Sequence, residues 1–273
     1  MARKFDLVSA KSKKLLKGKT IIVTGCSSGI GLETAKTIKK YGGDVIGVDI
    51  NFTSENIDEF YKADLSDKAT IEALVEALPK GADGLVNNAG LPPTSPPAMV
   101  LKVNLVGLKY LTELLVPKLA DGASIVNLAS LAGFGWAENV SQIKESYDLD
   151  FHEVEDFVRR HGIDQEQGKS YFFTKEAIVV WTMTQRWKWR DRDIRMNSIS
   201  PGPVDTPILK DFHATLGKRA EEDMKTMDRP GLPTDIAPIV CFMLSDMSIW
   251  MRGLNIPADG GMSSHLLSNI HGL

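Results

Sequence analysis

Tyr171 and Lys175 stand four residues apart in Ser170-Tyr171-Phe172-Phe173-Thr174-Lys175-Glu176-Ala177. On a helix that spacing stacks their side chains on one face. A phenol whose ordinary pKa is about 10 is a poor proton carrier at neutral pH. An ammonium beside it stabilises the phenolate and draws the pKa toward the working range. Such a pair can give a proton to a carbonyl oxygen or take one from an alcohol. The same spacing also arises as an aromatic on a buried face beside a solvated lysine, so the elements that position the pair decide between the two.

Those elements begin with Thr20-Ile21-Ile22-Val23, an apolar, β-branched run that predicts a buried strand. It leads into Thr24-Gly25-Cys26-Ser27-Ser28-Gly29-Ile30-Gly31 and then a helix over 32–41. A strand, a glycine turn and a helix present backbone N–H groups to an anion, here from Gly25, Ser27, Ser28, Gly29, Ile30 and Gly31. The glycines run G-x-x-x-G-x-G rather than G-x-G-x-x-G. A second strand, 44–49, ends in Asp49, whose carboxylate can accept both ribose hydroxyls of NAD and would repel a 2′-phosphate. The glycine loop holds no Lys or Arg, and Ile50 and Asn51 follow Asp49, so the expected cofactor is NAD and not NADP.

Asp64, followed by Leu65, is placed either to contact the adenine or to cap a helix over 67–78. The strand Gly84-Leu85-Val86 ends in Asn87-Asn88-Ala89-Gly90, where small and amide residues suit close passage of a cofactor. Four prolines in Leu91–Pro97 exclude helix and central strand there and predict a loop at the site's mouth. A long helix over 99–119 carries Asn104, and a strand over 122–130 ends in the hydroxyl of Ser130.

The chain has 273 residues, enough for one large α/β domain or two small ones, and a formal net charge of -3, which argues against a nucleic-acid protein. Its two cysteines, Cys26 and Cys241, have no metal-ligand spacing; no metal is expected, and reduced thiols fit a cytoplasmic protein. No apolar run is long enough to span a bilayer. Residues 1–18 are basic and predict a solvated leader ahead of the domain over 19–273, the other reading being an arm that touches a membrane or a partner.

In their order and spacing these segments resemble the short-chain dehydrogenase/reductase superfamily: Thr24 to Gly31, Asp49, Asp64-Leu65, Asn87 to Gly90, Asn104, Ser130, Tyr171-x-x-x-Lys175 and Pro201-Gly202-Pro203-Val204-Asp205-Thr206. The resemblance implies one doubly wound α/β domain with a parallel sheet (a Rossmann fold). It implies a tetrad in which Tyr171 is the general acid/base and Lys175 lowers its pKa and binds the nicotinamide ribose. Ser130 would hold the substrate oxygen, and Asn104 would position a water that relays protons from Lys175. Asn88, Ala89, Gly90, Pro201, Gly202, Val204 and Thr206 would line the cofactor. The tyrosine helix, continued over 178–189, would be core or would pack against its twin in a homodimer or homotetramer.

The family places its serine about a dozen residues before its tyrosine; here 131–170 intervene. The insert reads as a lid or interface element rather than a surface excursion. Together with Ala63 to Ser66, Asp83 to Val86, Asn104 to Glu113 and Pro203 to Leu209, it narrows the resemblance to family members that act on aromatic alcohols such as coniferyl alcohol and, more distantly, to the 3α-hydroxysteroid dehydrogenase/carbonyl reductase group. The expected activity is NAD-dependent interconversion of a hydrophobic aromatic alcohol and its carbonyl, with Leu91, Trp136, Phe172 and Phe212 as apolar substrate contacts. A hydroxysteroid or cyclic alcohol is the alternative substrate, and an NADH-binding regulator the alternative outside enzymes. A polar stretch over 205–233 is the expected substrate loop, and the tail over 262–273 is expected to reach a neighbouring subunit.

Overall fold

The apolar runs become the central strands of one sheet, buried by helices packed on both faces, as an all-parallel sheet requires. The structure, a computed structural model, describes residues 14–217 and 225–273. The strands are β1 (Thr20–Thr24), β2 (Asp44–Asp49), β3 (Glu59–Lys62), β4 (Ala82–Asn87), β5 (Leu119–Leu128), β6 (Arg195–Pro201) and β7 (Asn255–Ala258). They lie in the order β3-β2-β1-β4-β5-β6-β7, every neighbouring pair parallel. The order reverses between β1 and β4, and the crevice at that switch point is where such sheets bind ligands. β3 escapes a sequence reading because its four residues are half-exposed and show no apolar run.

The helices are α1 (Gly29–Lys40), α2 (Lys68–Ala77), α3 (Pro97–Leu101), α4 (Leu108–Leu115), α5 (Val140–Glu145), α6 (Val154–Arg160), α7 (Lys169–Gln185), α8 (Leu209–Leu216), α9 (Pro233–Leu244) and α10 (Met262–His271). One core layer joins the sheet to α2, α4 and α7, and the other joins it to α1 and α9. Among the described residues no helix is long and apolar enough to cross a membrane.

Several boundaries differ from expectation. The single helix over 99–119 is a run of α3, a π-helical turn over Lys102–Gly107, α4 and a 3-10 turn at Val116–Lys118 containing Pro117. Leu119 already belongs to β5. Pro97, assigned to a loop, opens α3, where a missing N–H costs no intrahelical bond. Asp67, not Asp64, caps α2 by accepting the Thr70 N–H at 2.9 Å. Of the basic leader over 1–18, residues 1–13 lie outside the described residues. Leu16 is not solvated: its side chain is buried, and its N–H donates to the Tyr41 carbonyl at 3.0 Å.

The insert is the largest correction. It is neither a flap nor a surface excursion, because Ile143, Phe151, Val154, Phe157 and Ile163 are part of the main core. Phe157 is 1% exposed, its ring centroid 5.6 Å from that of Phe173 on α7. Lys68–Asp150 and Lys102–Glu155 ion pairs tie its rim to α2 and the π turn. Lys109, buried, donates to the carbonyls of Ser146 and Tyr147 at 2.9 and 2.5 Å. The insert packs against α7, whose residues Ser170, Tyr171 and Phe173 to Thr182 are buried within this one chain. α7 also stops at Gln185, leaving Trp187 58% exposed under the Arg186 guanidinium.

Candidate active site

The carboxyl ends of β1, β2, β4, β5 and β6 open into one cavity of about 640 Å³, within the ordinary size range for small-molecule sites. Its first wall is the turn between β1 and α1. Gly25 adopts φ +67°, and a Cβ on Gly31 would stand 2.0 Å from the Gly25 carbonyl oxygen, so neither position tolerates a side chain. Gly31 does not itself reach the cavity; it lets α1 approach closely, while Gly25, Ser27, Ser28, Gly29 and Ile30 form the wall. Ser28 at the α1 N-cap makes no side-chain capping bond. The N–H groups of the first turn are thus left for an anion.

Asp49 fastens this turn to β2: its Oδ2 accepts the Ser27 N–H at 3.0 Å and its Oδ1 the Asn51 N–H at 2.9 Å. Both oxygens keep acceptor capacity toward the cavity, and Asp64 and Leu65 stand on the same wall. The Asn88 amide faces the scaffold, donating to the Thr24 and Gly25 carbonyls at 3.1 and 3.0 Å. Thr24 Oγ1 accepts the N–H groups of Asn88 and Ala89, each at 3.0 Å. Thr24 is therefore a positioning residue that motif reading passed over. Gly90, Pro201, Gly202, Val204 and Thr206 complete this end, the Thr206 methyl lying over Gly29.

At the other end Ser130, Tyr171 and Lys175 converge on the cavity wall. Ser130 follows β5 in an extended conformation, its Oγ accepting the Ala132 N–H at 3.1 Å. The Lys175 Nζ lies 5.4 Å from the Tyr171 ring centroid and donates to the Leu128 carbonyl at 2.7 Å. Among the described residues on the wall it is the sole cation. Burial pushes the Tyr171 phenol up to about 12, the hydrogen bond with Ser130 pulling the other way. Burial also pushes Lys175 down to about 8. The expected lowering of the phenol by its lysine is thus not present in the protein by itself, because desolvation penalises both charges.

Asn104 reaches the site through Leu91. It is buried in the π-helical turn and absent from the cavity wall; its Oδ1 accepts the Leu91 N–H at 2.7 Å and its Nδ2 donates to the Leu91 carbonyl at 3.0 Å. One bond at each end of the amide holds Leu91 in place. Leu91, Phe172 and Phe212 do line the cavity, and the Phe212 ring meets Tyr171 edge-on at 4.9 Å between centroids. Trp136 does not: it opens a 3-10 turn and packs against the core. Of the substrate loop over 205–233, residues 218–224 lie outside the described residues.

Met99, Val103, Phe134, Glu176, Met262 and Leu266 also form the wall without having been singled out. Met262 and Leu266 bring the start of the tail, α10, to the cavity. Their i, i+4 spacing was a legible sign of an apolar face.

Residues 19–142 match the short chain dehydrogenase family, and residues 156–263 match the family described as Enoyl-(Acyl carrier protein) reductase. The chain is 42% identical over 252 residues to coniferyl-alcohol dehydrogenase of Pseudomonas sp. (strain HR199), covering 91% of this chain and 98% of that protein. It is 27% identical to 3-alpha-hydroxysteroid dehydrogenase/carbonyl reductase of Comamonas testosteroni, over 89% of this chain and 96% of that one. Among solved structures, 3-alpha-hydroxysteroid dehydrogenase from Pseudomonas sp. B-0831 in complex with NADH superposes with a TM-score of 0.78 at 25% identity, covering 91% of this chain and 98% of that chain.

Proposed function

The chain belongs to the short-chain dehydrogenase/reductase family, and we propose that it oxidises a hydrophobic aromatic alcohol of the coniferyl type to its aldehyde with NAD. The observation that carries the reading is a single cavity with an uncapped helix N-terminus and Asp49 at one end and Ser130, Tyr171 and Lys175 at the other. The 42% identity to coniferyl-alcohol dehydrogenase supports the choice of alcohol.

The residues present fit a dinucleotide. The glycine turn and first turn of α1 would hold the pyrophosphate, Asp49 the adenosine ribose and Asp64-Leu65 the adenine. Asp49, with no cation among the described residues on that part of the wall, favours NAD over NADP. The chemistry the cofactor supplies is hydride exchange at its nicotinamide ring.

The protein's own part is to place the alcohol and to move its proton. The Ser130 hydroxyl holds the alcohol oxygen, and Tyr171 takes the proton from it. Lys175 acts through charge: a buried phenolate and ammonium together are net neutral, whereas phenol and ammonium together carry a buried charge. Asn104 fixes Leu91, and with Phe172 and Phe212 that residue gives the aromatic group an apolar, water-excluding wall.

The exposed Met247, Ile249, Trp250 and Leu254, beside the edge strand β7, support assembly with further copies of the chain. Sedimentation of the protein and of Trp250→Asp tests this; an unchanged species removes the reading.

The experiment for the function is formation of reduced cofactor with NAD or NADP across aromatic, steroid and short aliphatic alcohols. Turnover of coniferyl alcohol with NAD is the expected result. Turnover confined to steroids moves the substrate to a hydroxysteroid, and tight NADH binding with no turnover at all contradicts an enzyme.

A further inference from the structure

Glu176 has no part in the proton transfer, yet it lines the cavity one residue past Lys175 and is 6% exposed. Among the described residues three carboxylates stand on the wall; Asp49 and Asp64 lie on the β2–β3 side, and Glu176 on the side of Tyr171. Its Oε2 accepts the Asn139 Nδ2–H at 2.8 Å, which fixes the carboxylate from within the insert. Its Oε1 has no hydrogen-bond partner among the described residues and lies against Gly135, where an added Cβ would stand 3.1 Å away. The neighbouring wall is Leu131, Phe134 and Phe172. Burial raises the Glu176 carboxyl above its ordinary range, Asn139 opposing and Glu138 adding to the effect. Oε1 is thus an acceptor on the cavity wall, and a ligand that brings a donor to it gains a charge-assisted hydrogen bond.

We propose that Glu176 selects the substrate by its far end, Oε1 accepting a hydrogen bond from a hydroxyl on the aromatic ring remote from the carbinol. Glu176 stands five helical positions after Tyr171, an axial rise of about 7.5 Å, of the order of the reach from carbinol to ring hydroxyl in an extended hydroxycinnamyl alcohol. The substrate class is thereby narrowed from aromatic alcohols to those with a ring hydroxyl, an inference that rests on the aromatic-alcohol reading above. Asn139 is a positioning residue that presents the carboxylate.

The test compares kcat/KM for 4-hydroxycinnamyl, 4-methoxycinnamyl and cinnamyl alcohol in the wild type, Glu176→Gln and Asn139→Ala. The wild type is expected to favour the hydroxylated alcohol over cinnamyl alcohol by roughly tenfold or more. In Glu176→Gln, Asn139 retains the amide oxygen and the NH2 group turns to the cavity. The preference should then fall to parity or below, while the methoxy compound gains because its oxygen can only accept. Asn139→Ala should weaken the preference without reversing it. A merely structural Glu176 would lower all three rates together and leave their ratios alone, and that result, or a wild type with no preference, overturns the inference while the aromatic-alcohol reading stands. No turnover of any of the three overturns both.

Discussion

Lys175 and Tyr171 are stacked on one face of α7 with the ammonium nitrogen 5.4 Å from the ring centroid, and burial moves their pKa values in opposite directions, to about 8 and about 12. In the unfolded chain the lysine keeps its proton up to its ordinary 10.5, in the fold only up to about 8. The folded state therefore binds fewer protons between those values, and stability contributed by this site rises with pH across that window. Below about 8 the buried ammonium costs on the order of 3 kcal/mol at most.

Lys175→Met is accordingly predicted to lose turnover while melting at a higher temperature than the wild type at neutral pH, both without cofactor. The gap should shrink as pH rises from about 8 toward 10.5. Thermal denaturation across that range checks it; a variant less stable at neutral pH would show that the lysine is held more favourably than its burial implies.

Asp49 ties the glycine turn to β2 and keeps acceptor capacity toward the cavity. Asp49→Ala should lower kcat/KM with NAD by roughly tenfold or more and narrow the discrimination against NADP, since both a charge-assisted bond and a repulsion are removed. Steady-state kinetics with both cofactors decide this, and unchanged selectivity would place the discrimination elsewhere.

The Asn104 amide clamps both backbone groups of Leu91. Asn104→Ala leaves them unpaired in a part-buried setting and should cost about 1–3 kcal/mol of stability. Because Leu91 lines the cavity, KM for a bulky aromatic alcohol should rise more than KM for the cofactor. Equal effects on the two would argue that Leu91 does not shape the alcohol's end.

Phe157 distinguishes a packed lobe from a surface flap. With 1% of its surface exposed against the core, Phe157→Ala should destabilise the whole domain by about 3–5 kcal/mol, read from denaturant unfolding. A loss under 1 kcal/mol would mean the insert folds apart from the core.

How much of this was legible differs by element. The strand, glycine turn and acid of residues 20–49 announced themselves through local rules: β-branched runs, punctuating glycines and a carboxylate at a strand end. Those rules act over a few residues, so they survive without tertiary context. The insert did not, because the pattern through Phe151, Val154, Phe157 and Val158 states only that one face is apolar, and what that face meets, Phe173 on α7 among others, is set by the tertiary fold. Asn104 was found as a residue but its partner was not, since the bond to Leu91 depends on a π turn that no spacing in the sequence marks. Glu176 had a sign that was passed over: a charge among Phe173, Ala177 and Ile178 must be either solvated or placed for a purpose. Trp136 misled because a large aromatic next to an active-site strand reads equally well as pocket or core.

The most direct measurement is turnover and NADH binding of Tyr171→Phe, which deletes one oxygen and leaves the ring that meets Phe212. A Tyr171 that carries the proton predicts that oxidation of the alcohol falls by roughly a hundredfold or more while NADH still binds. Turnover that survives the substitution would contradict the assignment of Tyr171 as the proton acceptor, and with it the account of how this cavity works.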